Sequence, residues 1–216
     1  ARAYPKNVME VHEIVNDSLG KRRIGVSYCT LCGSARAYFI DNEDGFQPVL
    51  RTSGLLFRSN KLMYDRNSLS VIDAFSGRAL SGPLHHAGVV LTPLSVVTST
   101  WGDWKRAHPA TTILDEFRDY PLDPLGGRDD HGPIFPVGSV DQRLGVQELV
   151  LGVEAADGPI AFPVTQALKV LRSGGVIQMG GVTLKQEGSG LRAFLGEDDA
   201  SAHEAYWFAW SQFKPE

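Results

Sequence analysis

Two cysteines, Cys29 and Cys32, stand in this 216-residue chain as Cys-x-x-Cys. That spacing in a tight turn lets two sulfurs converge, which both thiolate chelation and a small-loop disulfide require. A thioredoxin-type redox motif opens a helix, whose N-terminus lowers the thiol pKa. Here the pair lies between two strand-like runs, 23–28 and 34–40, at the tip of an expected hairpin with no helix following. That placement favours metal binding over dithiol exchange. A structural zinc site takes four protein ligands and the chain offers one cysteine pair, so a site must recruit histidine, methionine or carboxylate.

His12 is the leading recruit. Asn7 and Glu10 resemble a capping box, Gly20 reads as a helix C-terminus, and a helix over 7–19 puts Val8, Val11, His12 and Val15 on one face. The alternative for His12 is a core histidine bonded to a backbone carbonyl. Glu13 and Asn16 flank it as candidate outer partners of a metal ligand. Met63 is the candidate fourth ligand, because a thioether beside two thiolates and an imidazole suits Cu(I); copper or zinc is the expected metal. The alternative for Met63 is plain core packing. Other chemistry-bearing residues read as structural. His85 and His86 fall on opposite faces of a strand, so only one of them could serve as a ligand to a given metal; His108 ends a helix, and Asp129-Asp130-His131 is a solvated charge cluster. Asp65-Arg66 reads as a surface ion pair. Neither a Gly-x-Ser-x-Gly, a P-loop nor a His-Glu-x-x-His stands in the chain, so acyl transfer, nucleotide hydrolysis and zincin chemistry lack a motif.

The elements that must position these residues follow from composition and self-comparison. Hydrophobic residues make up 43% and charged residues 21%, which fits a globular chain. Twenty-one Lys and Arg against 25 Asp and Glu give a net charge of -4, and the longest basic run is Lys21-Arg22-Arg23. Nucleic acid is therefore not an expected partner. No apolar stretch reaches the roughly 18 residues of a spanning helix. Gly25-Val26 and Arg36-Ala37-Tyr38 recur as Gly181-Val182 and Arg192-Ala193-Phe194, 156 residues on. Trp101-x-x-Trp104 with Pro109 recurs as Trp207-x-x-Trp210 with Pro215, 106 residues on. The expected fold class is thus α+β, mostly antiparallel β with a few short helices, built from two degenerate repeats. The first repeat spans 1–114, a Pro/Gly-rich linker 115–146, and a shorter second repeat 147–216. The second begins with an expected hairpin, 150–154 and 159–162; the first starts at the equivalent of that hairpin's second strand, which predicts a strand upstream of Ala1. His12, Cys29 and Cys32 face Val170, Lys185 and Gly188 in the second repeat, so the three candidate ligands are absent together from it.

Taken in order, His12-Glu13-Ile14-Val15-Asn16-Asp17, Tyr28-Cys29-Thr30-Leu31-Cys32-Gly33, Ser53-Gly54-Leu55-Leu56, Met63-Tyr64-Asp65-Arg66 and Trp101 through Pro109 resemble the bacterial and archaeal domain-of-unknown-function family numbered 3179. The resemblance carries no activity. It implies an extracytoplasmic, exported or lipid-anchored location by analogy. The chain departs from the family where Thr30 replaces a common proline, where Lys61 replaces an acidic residue, and around 72–74, where a Trp-x-Gln element is usual. Two readings stand: a transition-metal protein using Cys29, Cys32, His12 and Met63, with redox or Lewis-acid chemistry if a coordination position is open; or a non-enzymatic binding or scaffold subunit of a larger assembly, with the cysteines as a structural disulfide.

Overall fold

A computed structural model describes residues 1–41, 45–115, 119–126 and 132–215. The fold is α+β, with mostly antiparallel strands in several small sheets and a few short helices. In chain order, Arg2–Ala3 (β1) and Lys6–His12 (α1) lead into Ile14–Leu19 (β2), Arg22–Cys29 (β3) and Ser34–Phe39 (β4). Leu50–Phe57 (β5), Asn60–Asp65 (β6) and Val71–Asp73 (β7) form a sheet of their own, followed by Gly82–His86 (α2). Thr92–Leu94 (β8), Trp101–Ala107 (α3) and Thr112–Ile113 (β9) close the first half. The second half holds Leu149–Ala155 (β10), Gly158–Pro163 (β11), Val164–Arg172 (α4), Ile177–Met179 (β12), Val182–Glu187 (β13), Gly190–Leu195 (β14), Asp198–Asp199 (β15), Ala202–Tyr206 (β16) and Trp207–Phe213 (α5). Sheet orders are β2-β3-β4-β8, β5-β6-β7, β11-β10-β16 and β12-β13-β14-β15, with β1 parallel to β9.

The first helix is shorter than its sequence pattern predicts. It stops at Glu13, whose backbone is left-handed (φ 61°) and whose N–H donates to the Met9 carbonyl. From Ile14 the chain is a strand laddered on β3 from Ile14↔Ser27 to Leu19↔Arg22. Gly20, read as a helix end, supplies the positive φ of the β2–β3 turn instead. Glycine serves both purposes, so that signal is degenerate. The expected capping box is also absent: Pro5 is the N-cap, and the Asn7 amide donates to the Tyr120 and Pro121 carbonyls. His85 and His86 lie in α2, opened by Pro83, rather than on a strand.

Other expectations hold. The β3–β4 hairpin carries Cys29 through Gly33 at its tip, with Cys29 facing Ser34 as the last pair of the ladder. The β10–β11 hairpin forms with Ala155 opposite Gly158. The helix expected to end at His108 forms as α3, and Thr100 caps it by accepting from the Asp103 N–H. Within the segment expected to be a linker, Phe135, Val137, Val140 and Val146 pack against the buried cluster of Cys29, Cys32, Phe208 and Ala209.

The two halves meet where β16 and α5 lie against β4 and the cysteine hairpin. Trp207, Phe208, Ala209 and Trp210 of α5 are all buried, at about 1.5–3 kcal/mol for each large side chain removed from water. Gly152 of β10 makes this packing feasible: it pairs with His203 of β16, and the Trp210 ring occupies the volume a Cβ there would need. Gly152→Ala is therefore expected to lower unfolding stability by about 3 kcal/mol, measured as the urea midpoint, whereas Gly145→Ala, whose Cβ meets nothing within 4 Å, should shift it by less than about 0.5 kcal/mol.

Candidate functional site

Cys29 and Cys32 form a disulfide, with Cα atoms 5.5 Å apart. The turn between them brings the Cys32 N–H to the Cys29 carbonyl, and Gly33 then adopts φ +60° to enter β4. The pair is sealed: Cys29 is 2% and Cys32 0% exposed. Phe208 and Ala209 of α5 pack on it, with Leu31, Tyr206 and residues of the 135–146 segment around them. The Cys32 carbonyl accepts from the Tyr206 N–H at 2.9 Å, which ties the hairpin tip to the start of α5.

The other two candidate ligands lie elsewhere. His12 is exposed at the end of α1, where Nε2 sits 3.1 Å from the Tyr120 hydroxyl and the two rings stack. The shortened helix explains this: Val8 and Met9 face the core while Val11 and His12 turn to solvent. Met63 is wholly buried, packed in one cluster with Tyr38, Ile40, Leu50 and Ile72. The structure thus does not gather Cys29, Cys32, His12 and Met63, and among the described residues no group of three or more His, Cys, Asp and Glu is placed to hold a metal ion. The flanking residues have other tasks. Glu13 pairs with Lys61 at 2.5 Å and accepts from the Thr52 hydroxyl at 2.7 Å; Asn16 exchanges two hydrogen bonds with the Leu50 backbone. Asp65 is no surface ion pair. It is buried and accepts from the Val49, Asn67 and Ser68 N–H groups and the Ser68 hydroxyl. His108 ends α3 as expected, tilted against the Trp104 ring with Nε2 2.5 Å from Glu187. Asp129-Asp130-His131 falls outside the described residues.

Beside the disulfide, sequence reasoning missed a buried polar junction. Arg36 of β4 reaches His203 of β16, Nη1 donating to Nδ1 at 2.8 Å. Arg36 Nε donates to the Tyr38 hydroxyl, which points at the Ala74 and Phe75 carbonyls. Arginine has no acceptor, so Nδ1 of His203 is the bare nitrogen and Nε2 carries the proton. That Nε2 is buried without a hydrogen-bond partner. The ring is held edge-on to Phe75, at 4.8 Å between centroids, and against Trp210. Burial first, then the charges of Arg36 and Lys214, hold the imidazole pKa well below its ordinary value. The next residue, Glu204, is the reverse case: burial pushes its carboxyl up to about 7, against a hydrogen bond from Thr98 and the charge of Lys6. The signal in the sequence was two ionisable residues side by side in the run Ala202-His203-Glu204-Ala205, where a core strand should be apolar.

A shallow depression of about 360 Å³ opens at the β12–β13 turn and is lined by Gln178 through Thr183, none of which titrates. The longest helices among the described residues are too short to cross a membrane. Compared with known proteins, the chain is matched over residues 1–189 by the family described as Protein of unknown function (DUF3179). No curated protein and no solved structure matches it.

His203 and Glu204 pull stability in opposite directions as pH changes. His203, lowered in the folded state, contributes stability present above its unfolded pKa of about 6.5 and lost on acidification. Glu204, raised to about 7 from 4.5, contributes stability present below 4.5 and lost as pH rises through 7. Each variant removes one slope. Between pH 6.5 and 4.5, Glu204→Gln should lose stability on acidification more steeply than the parent, and His203→Gln should gain it; urea midpoints at three pH values check both signs.

Proposed function

Because the chain belongs to the DUF3179 family, whose description carries no activity, we propose that it is a non-enzymatic binding subunit of an oxidising, extracytoplasmic environment, built from two degenerate copies and stapled by Cys29–Cys32. The observation that carries this reading is the bonded, sealed cysteine pair at the place where the halves meet. A disulfide persists outside the reducing cytosol, and a buried one is shielded from exchange while its cover stays closed. An exposed apolar run, Leu55-Leu56-Phe57 on the outer strand of its sheet, supports the binding part of the reading.

Strand registers support the two copies. Phe39↔Thr92 and Tyr38↔Pro93 join β4 to β8; Leu195↔Asp198 and Phe194↔Asp199 join β14 to β15. The offsets of 156 and 106 residues found in the sequence carry the first two pairs onto the second two. Pro5 and Pro163 each precede a helix, α1 and α4, with nearly the same backbone angles. The residues before the two Trp-x-x-Trp helices match as well, at φ -65°, ψ 147° for Thr100 and φ -66°, ψ 147° for Tyr206.

The competing reading puts copper or zinc on Cys29, Cys32, His12 and Met63. Thiol counting in denaturant together with elemental analysis, on protein purified without chelator or reductant, separates the two. The staple predicts no free thiol and two after reduction, with no bound metal. One equivalent of copper or zinc with two free thiols, lost in Cys29→Ser, would overturn it. Reduction should cost about 2 kcal/mol of stability, the loop-closure value for a ring this small.

A further inference from the structure

The two Trp-x-x-Trp helices are exchanged between the halves. The start of α5, in the second half, covers the β3–β4 tip of the first through Tyr206, Phe208 and Ala209. The start of α3, in the first half, covers the β13–β14 tip of the second: the Thr100 N–H donates to the Ser189 hydroxyl at 2.8 Å, and the Ser189 N–H to the Ser99 hydroxyl at 3.0 Å. The two covers differ in chemistry. One tip is Gly188-Ser189-Gly190, with no covalent link; the other is Cys29 to Cys32, closed by one.

The cover over the disulfide has an irregular backing. Over the disulfide, α5 is backed by 135–148, whose described residues up to Glu148 form no helix or strand and lean on α5 through a few bonds. The Trp207 N–H donates to the Glu148 carbonyl, the Phe208 N–H to that of Val146, and the Gln212 amide to that of Val137. On the opposite side Cys29 ends the β3–β4 ladder, paired from Ile24↔Phe39 to Cys29↔Ser34, and Cys32 sits in the turn that joins the two strands. Two thiols need more room than one disulfide, and a close-packed interior has none to spare. The side that yields is the irregular one, since segments held by few backbone bonds open first.

We propose that the Cys29–Cys32 pair is a redox-sensitive latch: its reduction loosens the cover formed by 135–148 and α5 and exposes Phe135, Val137 and Phe208, while the α3 cover of the second half stays closed. This rests on the pair being a disulfide in the resting protein. The co-reactant is a dithiol, which passes two electrons and two protons to the bonded sulfurs, leaving two cysteine thiols and becoming a disulfide itself. Because both sulfurs are sealed, attack waits on a transient opening of the same cover.

Hydrogen exchange read by mass spectrometry on the full chain, oxidised and after dithiothreitol, tests this. Amides of 207–213 are expected to lose protection by about tenfold or more, with those of 101–107 changed by less than about twofold. Equal loss in both helices, global unfolding, or no change in α5 would overturn the latch. Phe208→Ala, which thins the cover, should speed reduction by dithiothreitol several-fold; an unchanged rate also counts against it. Protein isolated with two free thiols would overturn the resting disulfide of the proposed function instead, and the same exchange comparison, run after oxidation, would still decide the latch.

Discussion

A hydrogen bond between Arg36 and His203 joins two strands that are 167 residues apart in the chain, inside a shell of Phe75, Trp210 and Tyr38. Much of the junction follows from it. An arginine cation without an acceptor is costly in such surroundings, so the imidazole must stay neutral and present Nδ1. That requirement fixes which face of β16 turns toward β4. Gly152 must then stand opposite His203, which leaves room for Trp210, and Trp210 carries α5 onto the cysteine hairpin. Buried polar contacts of this kind contribute little net stability compared with apolar packing. What this one supplies is register: sliding β16 by one residue would point Glu204 at Arg36 and His203 away from it.

The parts of this fold legible in the sequence are those set by local chemistry. Strand-like runs on either side of the Cys-x-x-Cys marked β3 and β4, and two runs parted by a short gap marked the β10–β11 hairpin. Where one residue type serves two purposes, the reading failed. Gly20 suits a helix end and a hairpin turn alike, and choosing the first placed His12 on a core face it does not occupy. The run from Ile14 to Leu19 became a strand because β3 was there to pair with it, and no local propensity reports that partner. His85 and His86 lie in a helix because Pro83, with its fixed φ and no N–H to satisfy, starts one.

The candidate site was half legible. The cysteines were correctly placed at a hairpin tip, but what covers them comes from α5 and from 135–146, and sequence spacing carries no information about such distant packing. The stretch 115–146 reads as linker from its Pro and Gly content, yet Phe135, Val137, Val140 and Val146 within it are apolar and recur at intervals too loose for helix or strand. Arg36 is unremarkable alone, and His203 shows only as one of two ionisable residues in an apolar run; their meeting across 167 residues is what no spacing reports.

The outer strand β5 shows how an awkward surface is kept harmless. Its register slips between Thr52 and Leu56, and Gly54 at φ +75° throws Ser53 to Leu55 out of line with β6. The Ser53 hydroxyl accepts the Leu55 N–H and donates to the Leu62 carbonyl, so the bulge satisfies itself internally. An open strand edge beside Leu55, Leu56 and Phe57 would otherwise be a template for fibrous stacking of one chain on the next. With the bulge in place the edge offers no straight run of free donors and acceptors, and the same apolar residues remain at the surface without seeding self-association.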